Sequence, residues 1–298
     1  NVTGLYGTEW ATSSTFPKSD YVLKEGRPVG LVRGLTADGF YTTDDFTYAN
    51  GVYTLKEGVA DVSSAVFPNY HLHNGMNERP AGQLAYPGMA KFKDLNDDGI
   101  INDDDVDVIG DMTPVHTGGF NINATYKNFD LGLYFNWSYG NEIYNVNKLA
   151  ALYGYKEGAV YENKLSIVKD CYKIYDVVNG ELVALTTPEQ LNAANANAKL
   201  PLAYSENGYV STLGIEDGSY LRLNTLTLGY TLPKSMLQKA GISNLRVYGS
   251  IYNVFTITGY SGIDAEVSTS TSTKTYPQLG MDWGTYPRAR SFVLGVNL

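Results

Sequence analysis

The chain has 298 residues, with 22 Lys+Arg against 31 Asp+Glu for a formal net charge of −9, and a single cysteine. The acidic balance without a clustered basic face argues against a nucleic-acid partner, and one cysteine excludes an internal disulfide framework or a multi-cysteine zinc site. No stretch approaches ~18 consecutive apolar residues, which excludes a transmembrane helix and leaves membrane-crossing strands open.

Residues 1–24 are rich in Thr, Ser and Gly and read as irregular; Asn1 opens no signal peptide, so a mature chain or a fragment is expected. A strand is predicted around 28–35, followed by a turn at Asp38 and Gly39. Residues 43–86 mix Gly, Asn, Asp and Pro with short apolar patches and read as a long loop with little regular structure. After an acidic stretch at 87–111, the side chains alternate strictly. Phe120, Ile122, Ala124 and Tyr126 oppose Asn121, Asn123, Thr125 and Lys127. Beyond Lys127 and Asn128, Phe129, Leu131, Leu133, Phe135, Trp137 and Tyr139 oppose Asp130, Gly132, Tyr134, Asn136 and Ser138. A period of two with a two-residue polar connection predicts a hairpin whose arms are about ten residues long, enough to cross a bilayer as tilted strands.

Residues 140–218 lack clear alternation. Helices are predicted over 145–153 and 189–197, the second entered through Thr187 and Pro188 with proline at its first position. Alternation returns over 218–233, where the phase slips near Asn224 and Thr225 and predicts a bulge. A helical turn at 234–242 leads to a further strand, with Leu245, Val247, Gly249, Ile251, Phe255 and Ile257 opposite Arg246, Tyr248, Ser250, Tyr252 and Thr256. A Ser/Thr/Gly-rich loop fills 258–287. The last strand carries Phe292, Leu294, Val296 and Leu298 on one face. Connections after successive strands are thus short, long, short and long, as in outer-membrane barrels with short periplasmic turns and long external loops. Two architectures share these faces. One is an all-β transmembrane barrel wall, and the other a secreted, calcium-stabilised β-sandwich that binds glycans.

Several residues carry candidate chemistry. Asp94, Asn96, Asp98, Ile100 (through its carbonyl), Asn102 and Asp105 match the spacing of a calcium loop, with Gly99 at the sharp turn and Asp in place of Glu at the last position. The plain alternative is a solvated acidic turn, which also accounts for Asp103, Asp104 and Asp107. His71 and His73 share one side of a strand at metal-ligand spacing but lack further clustered ligands; His116 stands alone. Glu9 with Asp20, and Glu216 with Asp217, are the candidate acid pairs. No nucleophile-elbow, zinc-protease or phosphate-loop motif is present, and Cys171 reads as a structural thiol, so no enzyme is expected. Tyr153, Tyr155, Tyr161, Tyr172, Tyr175, Tyr204, Tyr260, Tyr276 and Trp283 lie in the long connections. There they are candidates for stacking on sugars or peptides, or for loop packing. Asn121, Asn123, Asn136, Arg222, Asn224 and Arg246 are candidates for the inner face, and the two arginines are expected to pair with acids because a buried charge needs a partner.

Segments 24–41, 91–111, 118–145, 215–267 and 286–298, among them KFKDLNDDGIINDDDVDVIGD, SYLRLNTLTLGYTLPKSML and YPRARSFVLGVNL, resemble in order the C-terminal third of SusC/RagA-type TonB-dependent outer-membrane transporters of Bacteroidetes. The resemblance implies that the whole chain, 1–298, is the C-terminal portion of a 22-stranded antiparallel barrel. Its external loops would be at about 37–117, 140–218 and 258–287, and its C-terminus in the periplasm. It implies active import of nutrient oligomers, glycan more than peptide, with a SusD-type surface lipoprotein over the mouth and energy from TonB. The chain departs from the family pattern in lacking the plug, the TonB box and the first barrel strands, and in ending on Leu298 where an aromatic residue is usual.

Overall fold

The computed structural model describes residues 9–11, 21–67, 79–153, 164–203, 210–238, 241–267, 280–282 and 284–298. The chain divides into two compact units, one from Asn1–Gly110 with Val146–Ile215 and the other from Asp111–Asn145 with Glu216–Leu298.

The second unit is organised by one antiparallel sheet of five strands in chain order: β1 (His116–Tyr126), β2 (Phe129–Tyr139), β3 (Tyr220–Thr231), β4 (Arg246–Thr258) and β5 (Ser291–Asn297). The register converts the alternation of each strand into rows that run across the sheet. Ile122 faces Leu133, which faces Leu226, then Ile251, then Phe292. The next row is Ala124, Leu131, Leu228, Gly249 and Leu294, and the last is Tyr126, Phe129, Tyr230, Val247 and Val296. On the other side of the first row, Phe120, Phe135, Leu223 and Phe255 align, followed by Trp137, Leu221 and Ile257. Aromatic residues therefore mark both ends of an aliphatic band. Much of this face lies open, with Leu294 87% exposed, Phe292 71% and Ile257 61%, while Leu223 is buried in its row between Phe135 and Phe255. An apolar face of this extent is unstable against water, at roughly 25 cal/mol per Å². A β-sandwich would bury such a face beneath a second sheet, and within this unit no second sheet lies over it among the described residues. Among the described residues the five strands do not close into a barrel.

Two local features follow from the sequence. Lys127, in the two-residue turn between β1 and β2, takes a left-handed conformation (φ 54°). The expected bulge is present: Tyr134 faces Thr225 while Phe135 faces Leu223, leaving Asn224 as the extra residue. On β4 the same irregularity is absorbed where Asn253 adopts φ 53°. The links from β1 to β5 are short, long, short and long, so both long ones leave the same end of the antiparallel sheet.

The first unit amends the reading of 43–86 as a long loop with little regular structure. Phe46–Ala49 pairs with Val52–Leu55 as a hairpin, turned by Asn50 (φ 50°) and Gly51 (φ 85°). An Asn-Gly pair is the preferred chemistry for that turn because both central residues need positive φ. A second such hairpin joins Tyr175–Val178 to Glu181–Ala184 through Asn179 and Gly180, at 53° and 85°. Asp38 and Gly39 do not form a turn. They lie within the strand Ala37–Phe40, where the pairing with Ala90–Phe92 is irregular. The helix Pro188–Asn195 begins as the sequence predicts, with Pro188 at its first position. Gln190 Oε1 accepts the Thr187 N–H (3.1 Å) and Thr187 Oγ1 accepts the Gln190 N–H (3.4 Å). The core of the unit gathers Leu35, Tyr41, Tyr53, Met89, Phe92, Ile101, Tyr172 and Leu191, so distant segments fold on one another.

Candidate functional site

The polar face of the five-stranded sheet is built from the residues that alternate with the apolar rows. Asn121 faces Tyr134, Asn123 faces Gly132, and Asn136 faces Arg222. Thr227 and Ser250 share a hydroxyl–hydroxyl bond of 2.8 Å. Asn136 Oδ1 is buried without a hydrogen-bond partner while its amide donates to the Tyr220 hydroxyl at 3.4 Å. Asn224, singled out with these residues, is the bulge residue and has no cross-strand partner in register.

Both arginines pair with acids; Arg246 finds its partner inside the wall, as expected, whereas Arg222 finds its partners in the link that follows β4. Arg246 donates twice to Asp130, at 2.9 and 2.5 Å, and lies 4.9 Å from the centroid of the Tyr248 ring. Gly229 faces Asp130 across the strands, and a Cβ there would collide with both partners of the ion pair. Arg222 is 3% exposed. It donates to Thr256 Oγ1 (2.9 Å), to Glu266 (3.0 Å) and to Asp264, with the Tyr220 ring 5.4 Å from its guanidinium carbon. Arg288 completes the cluster, 3.4 Å from Asp264 and 3.0 Å from Glu266.

Beside this cluster, the Tyr260 hydroxyl donates to Asp282 at 2.7 Å. Asp282 also accepts the backbone N–H groups of Gly284 and Thr285, each at 3.0 Å. Burial works to raise the Asp282 carboxyl, but those donors outweigh it and hold the group below the ordinary carboxylate range. Burial, then Asp282, pushes the Tyr260 phenol upward. Tyr260 is therefore a loop-packing residue, as is Tyr172, buried in the core of the first unit. Neither offers its ring to a ligand.

The acidic segment 94–105 folds as a closed loop. Gly99 N–H donates to Asp94 Oδ2 (2.8 Å), Asp98 N–H to Asn96 Oδ1 (3.1 Å) and Ile100 N–H to Asp98 Oδ1 (2.8 Å). Asp105, at the last position, is fully buried and accepts the N–H of Leu95 (2.6 Å) and of Asn102 (2.8 Å), which draws the end of the loop to its beginning. Gly99 has φ 85° and Asp97 φ 58°. Among the described residues no three His, Cys, Asp or Glu side chains converge as a metal cluster. A cation in this loop would therefore depend on Asn96, Asn102 and the Ile100 carbonyl as well as the acids.

His116 does not stand alone. Its Nδ1 accepts the Trp137 indole N–H at 3.0 Å and its ring stacks on Tyr139 with centroids 5.1 Å apart, on the apolar face. Glu216 and Asp217 do not act as a pair, because Glu216 accepts from Ser261 while Asp217 accepts the Ser219 N–H. Cys171 is buried, and burial followed by the Asp170 charge pushes its thiol up to about 11, which suits an inert thiol. His71, His73, Asp20, Tyr155, Tyr161, Tyr204, Tyr276 and Trp283 lie outside the described residues, as do the side chains of Glu9 and Tyr153.

Comparison with known proteins gives a consistent answer. No family model matches the chain. It is 30% identical over 282 residues to the TonB-dependent receptor P3 of Formosa agariphila, covering 93% of this chain and 23% of that protein. It is 28% identical to the TonB-dependent receptor SusC of Bacteroides thetaiotaomicron, covering 83% of this chain and 20% of the relative. The chain thus spans about a quarter of the length of the curated relatives it matches. Among solved structures, the RagAB peptide importer in its closed-closed state superposes with a TM-score of 0.61 at 18% identity, over 98% of this chain and 25% of that one. The RagAB peptide transporter gives 0.60 over 97% of this chain.

Proposed function

The chain belongs to the TonB-dependent receptors of the SusC/RagA type, and from that premise we propose that it forms the C-terminal part of an outer-membrane barrel that imports nutrient oligomers. The observation that carries the reading is the five-stranded sheet, whose one face is an uncovered apolar band between aromatic ends while the other is polar. A membrane barrel needs both faces: hydrocarbon solvates the first and the lumen the second. With the turn at Lys127 and Asn128 on the periplasmic side, the two long connections lie outside and the C-terminus lies in the periplasm. The sidedness follows the family's usual arrangement of short periplasmic turns.

The proposed cargo is a glycan, taken with a SusD-type lipoprotein over the mouth and driven by TonB acting on a part of the receptor beyond these residues. What supports a glycan is the chemistry of the polar face, where amides, hydroxyls and phenols predominate and Arg222 and Arg246 are both neutralised by acids. Such a face hydrogen-bonds sugars without presenting a free charge to a peptide terminus. In cells carrying the full-length receptor, deletion of its gene is expected to abolish growth on one polysaccharide and leave growth on peptides unchanged. Loss of peptide growth alone would replace the glycan reading with a peptide one, and no loss on any oligomer would overturn import.

We also propose that the loop 94–105 takes a calcium ion whose role is to stiffen it. Supporting this are an all-oxygen donor set at the right spacing and the closure of the loop by Asp105. Calcium at about 100 times its Kd is expected to add about 2.7 kcal/mol of stability, read as a rise in Tm. Asp94→Ala and Asp98→Ala are expected to remove that rise. Equal calcium responses in wild type and variants would reject the site.

A further inference from the structure

The link between β4 and β5 is fastened at its base in a way that neither the wall nor the proposed transport requires. Its outgoing limb carries Asp264 and Glu266, and its returning limb carries Arg288 and Arg290. Arg222, near the start of β3 and one row in from the end where the link leaves β4, reaches the outgoing limb through both acids, and Arg288 reaches the same two acids from the returning limb. The two limbs are joined a second time by Tyr260 and Asp282 (2.7 Å). The returning limb is tied to β4 by Arg290, which donates to the Val254 carbonyl at 2.6 Å, and by the Asn253 amide, which donates to the Ala289 carbonyl at 2.8 Å.

The direction of this fastening matters. Arg222 belongs to the polar row with Asn136 and Thr256. A limb held by Arg222 is therefore folded over the polar face and not away from it. Arg222 is 3% exposed and Arg288 42%, so one bond of the cluster is shielded and the other is open to solvent. A buried guanidinium holds two carboxylates far more firmly than an exposed one, because removing either partner strands a charge out of water.

We infer that Arg222, Asp264, Glu266 and Arg288 form an ionic strap that bends the base of the β4–β5 link inward over the lumenal face and fixes it there. This rests on the reading of the polar face as lumenal. Arg222 is the inner bolt and Arg288 the outer, weaker one. The strap makes this side of the mouth a fixed inward shelf, so any movement of the mouth during import falls to other connections.

The test is amide hydrogen exchange on the full-length receptor in detergent, comparing wild type with Arg222→Met, Asp264→Asn and Arg288→Ala. Amides of 261–267 are expected to exchange at least tenfold faster in Arg222→Met and Asp264→Asn. A smaller acceleration is expected in Arg288→Ala, and no change in the β3 and β4 ladder in any of them. Arg222→Lys is not expected to restore protection, because a single ammonium cannot fork between both acids and Thr256. Asp264→Asn sits on the link and leaves the wall intact, which keeps the test decisive if Arg222→Met impairs folding. Unchanged exchange at 261–267 in Asp264→Asn would overturn the strap while leaving the lumenal reading standing. Acceleration through β3 and β4 as well would overturn it by making the cluster a general wall stabiliser. Protection of 261–267 in a receptor whose polar face proves lipid-exposed would refute the lumenal reading and keep the fastening.

Discussion

Arginine at position 122 is expected to destabilise the folded receptor by about 2–4 kcal/mol in a bilayer, whereas arginine at the neighbouring position 121 is expected to cost less than about 1 kcal/mol. The two residues are adjacent in β1 and face opposite sides of the sheet. Ile122 lies in the central apolar row against Leu133, and Asn121 lies opposite Tyr134 on the polar face. Ile122 is 45% exposed with no protein layer over it, so in a membrane its neighbour is hydrocarbon. A guanidinium placed there must snorkel or draw water inward. Denaturant titration of Ile122→Arg and Asn121→Arg in phospholipid vesicles reads the difference. A factor of about ten in the folding constant corresponds to ~1.4 kcal/mol, so the expected gap of about 1–4 kcal/mol is a factor of roughly five to several hundred. Equal penalties would mean that the two faces do not see different solvents.

The second large effect belongs to the other unit. Phe92→Ala is expected to cost about 3–5 kcal/mol, the usual range for emptying an aromatic core position. Phe92 is buried in a cluster whose members come from residues 35–101 and 172–202 of the sequence, and its ring stands 6.3 Å from that of Phe67. Leu95→Ala, three residues away at an exposed position, is expected to fall within about 0.5 kcal/mol of wild type. Hydrogen exchange of the hairpin Phe46–Ala49 with Val52–Leu55 and of the helix Pro188–Asn195 is the readout, because both rest on that core. If Phe92→Ala leaves their protection unchanged, the long connections do not share a core.

That shared core was beyond reach of the sequence, and the reason is physical. Local periodicity reports what one segment buries, but it does not report which distant segment will cover it. The strands β1 to β5 were legible because each carries its own two-residue period, and because a lipid face needs no partner from elsewhere in the chain. The bulge at Asn224 was legible as a slip in phase, and the helix start at Thr187 and Pro188 as a capping pattern. By contrast, the segments 43–86 and 140–218 carry short apolar patches whose meaning depends on one another. Two signals within them do stand in the sequence: Asn50 with Gly51, and Asn179 with Gly180, each between β-prone residues, are the standard marks of a tight hairpin. The acid partners of Arg222 were foreseeable only as a requirement that some acid be present. Asp264 and Glu266 lie more than forty residues away, in a link with no periodic pattern. His116 reads as isolated because nothing in sequence announces that Trp137, diagonal to it on the next strand, will give it an indole hydrogen bond.

The central claim is that the sheet is a membrane wall with one face in lipid, and one measurement tests it most directly. Single cysteines at positions 120 to 126, in a full-length receptor in which Cys171 is replaced, are labelled with an environment-sensitive fluorophore. Quenching is then measured in vesicles whose acyl chains carry a nitroxide. Strong quenching is expected at 120, 122, 124 and 126, and weak quenching at 121, 123 and 125, a period of two in step with the apolar rows. Uniform quenching along β1, or the opposite phase, would contradict the wall.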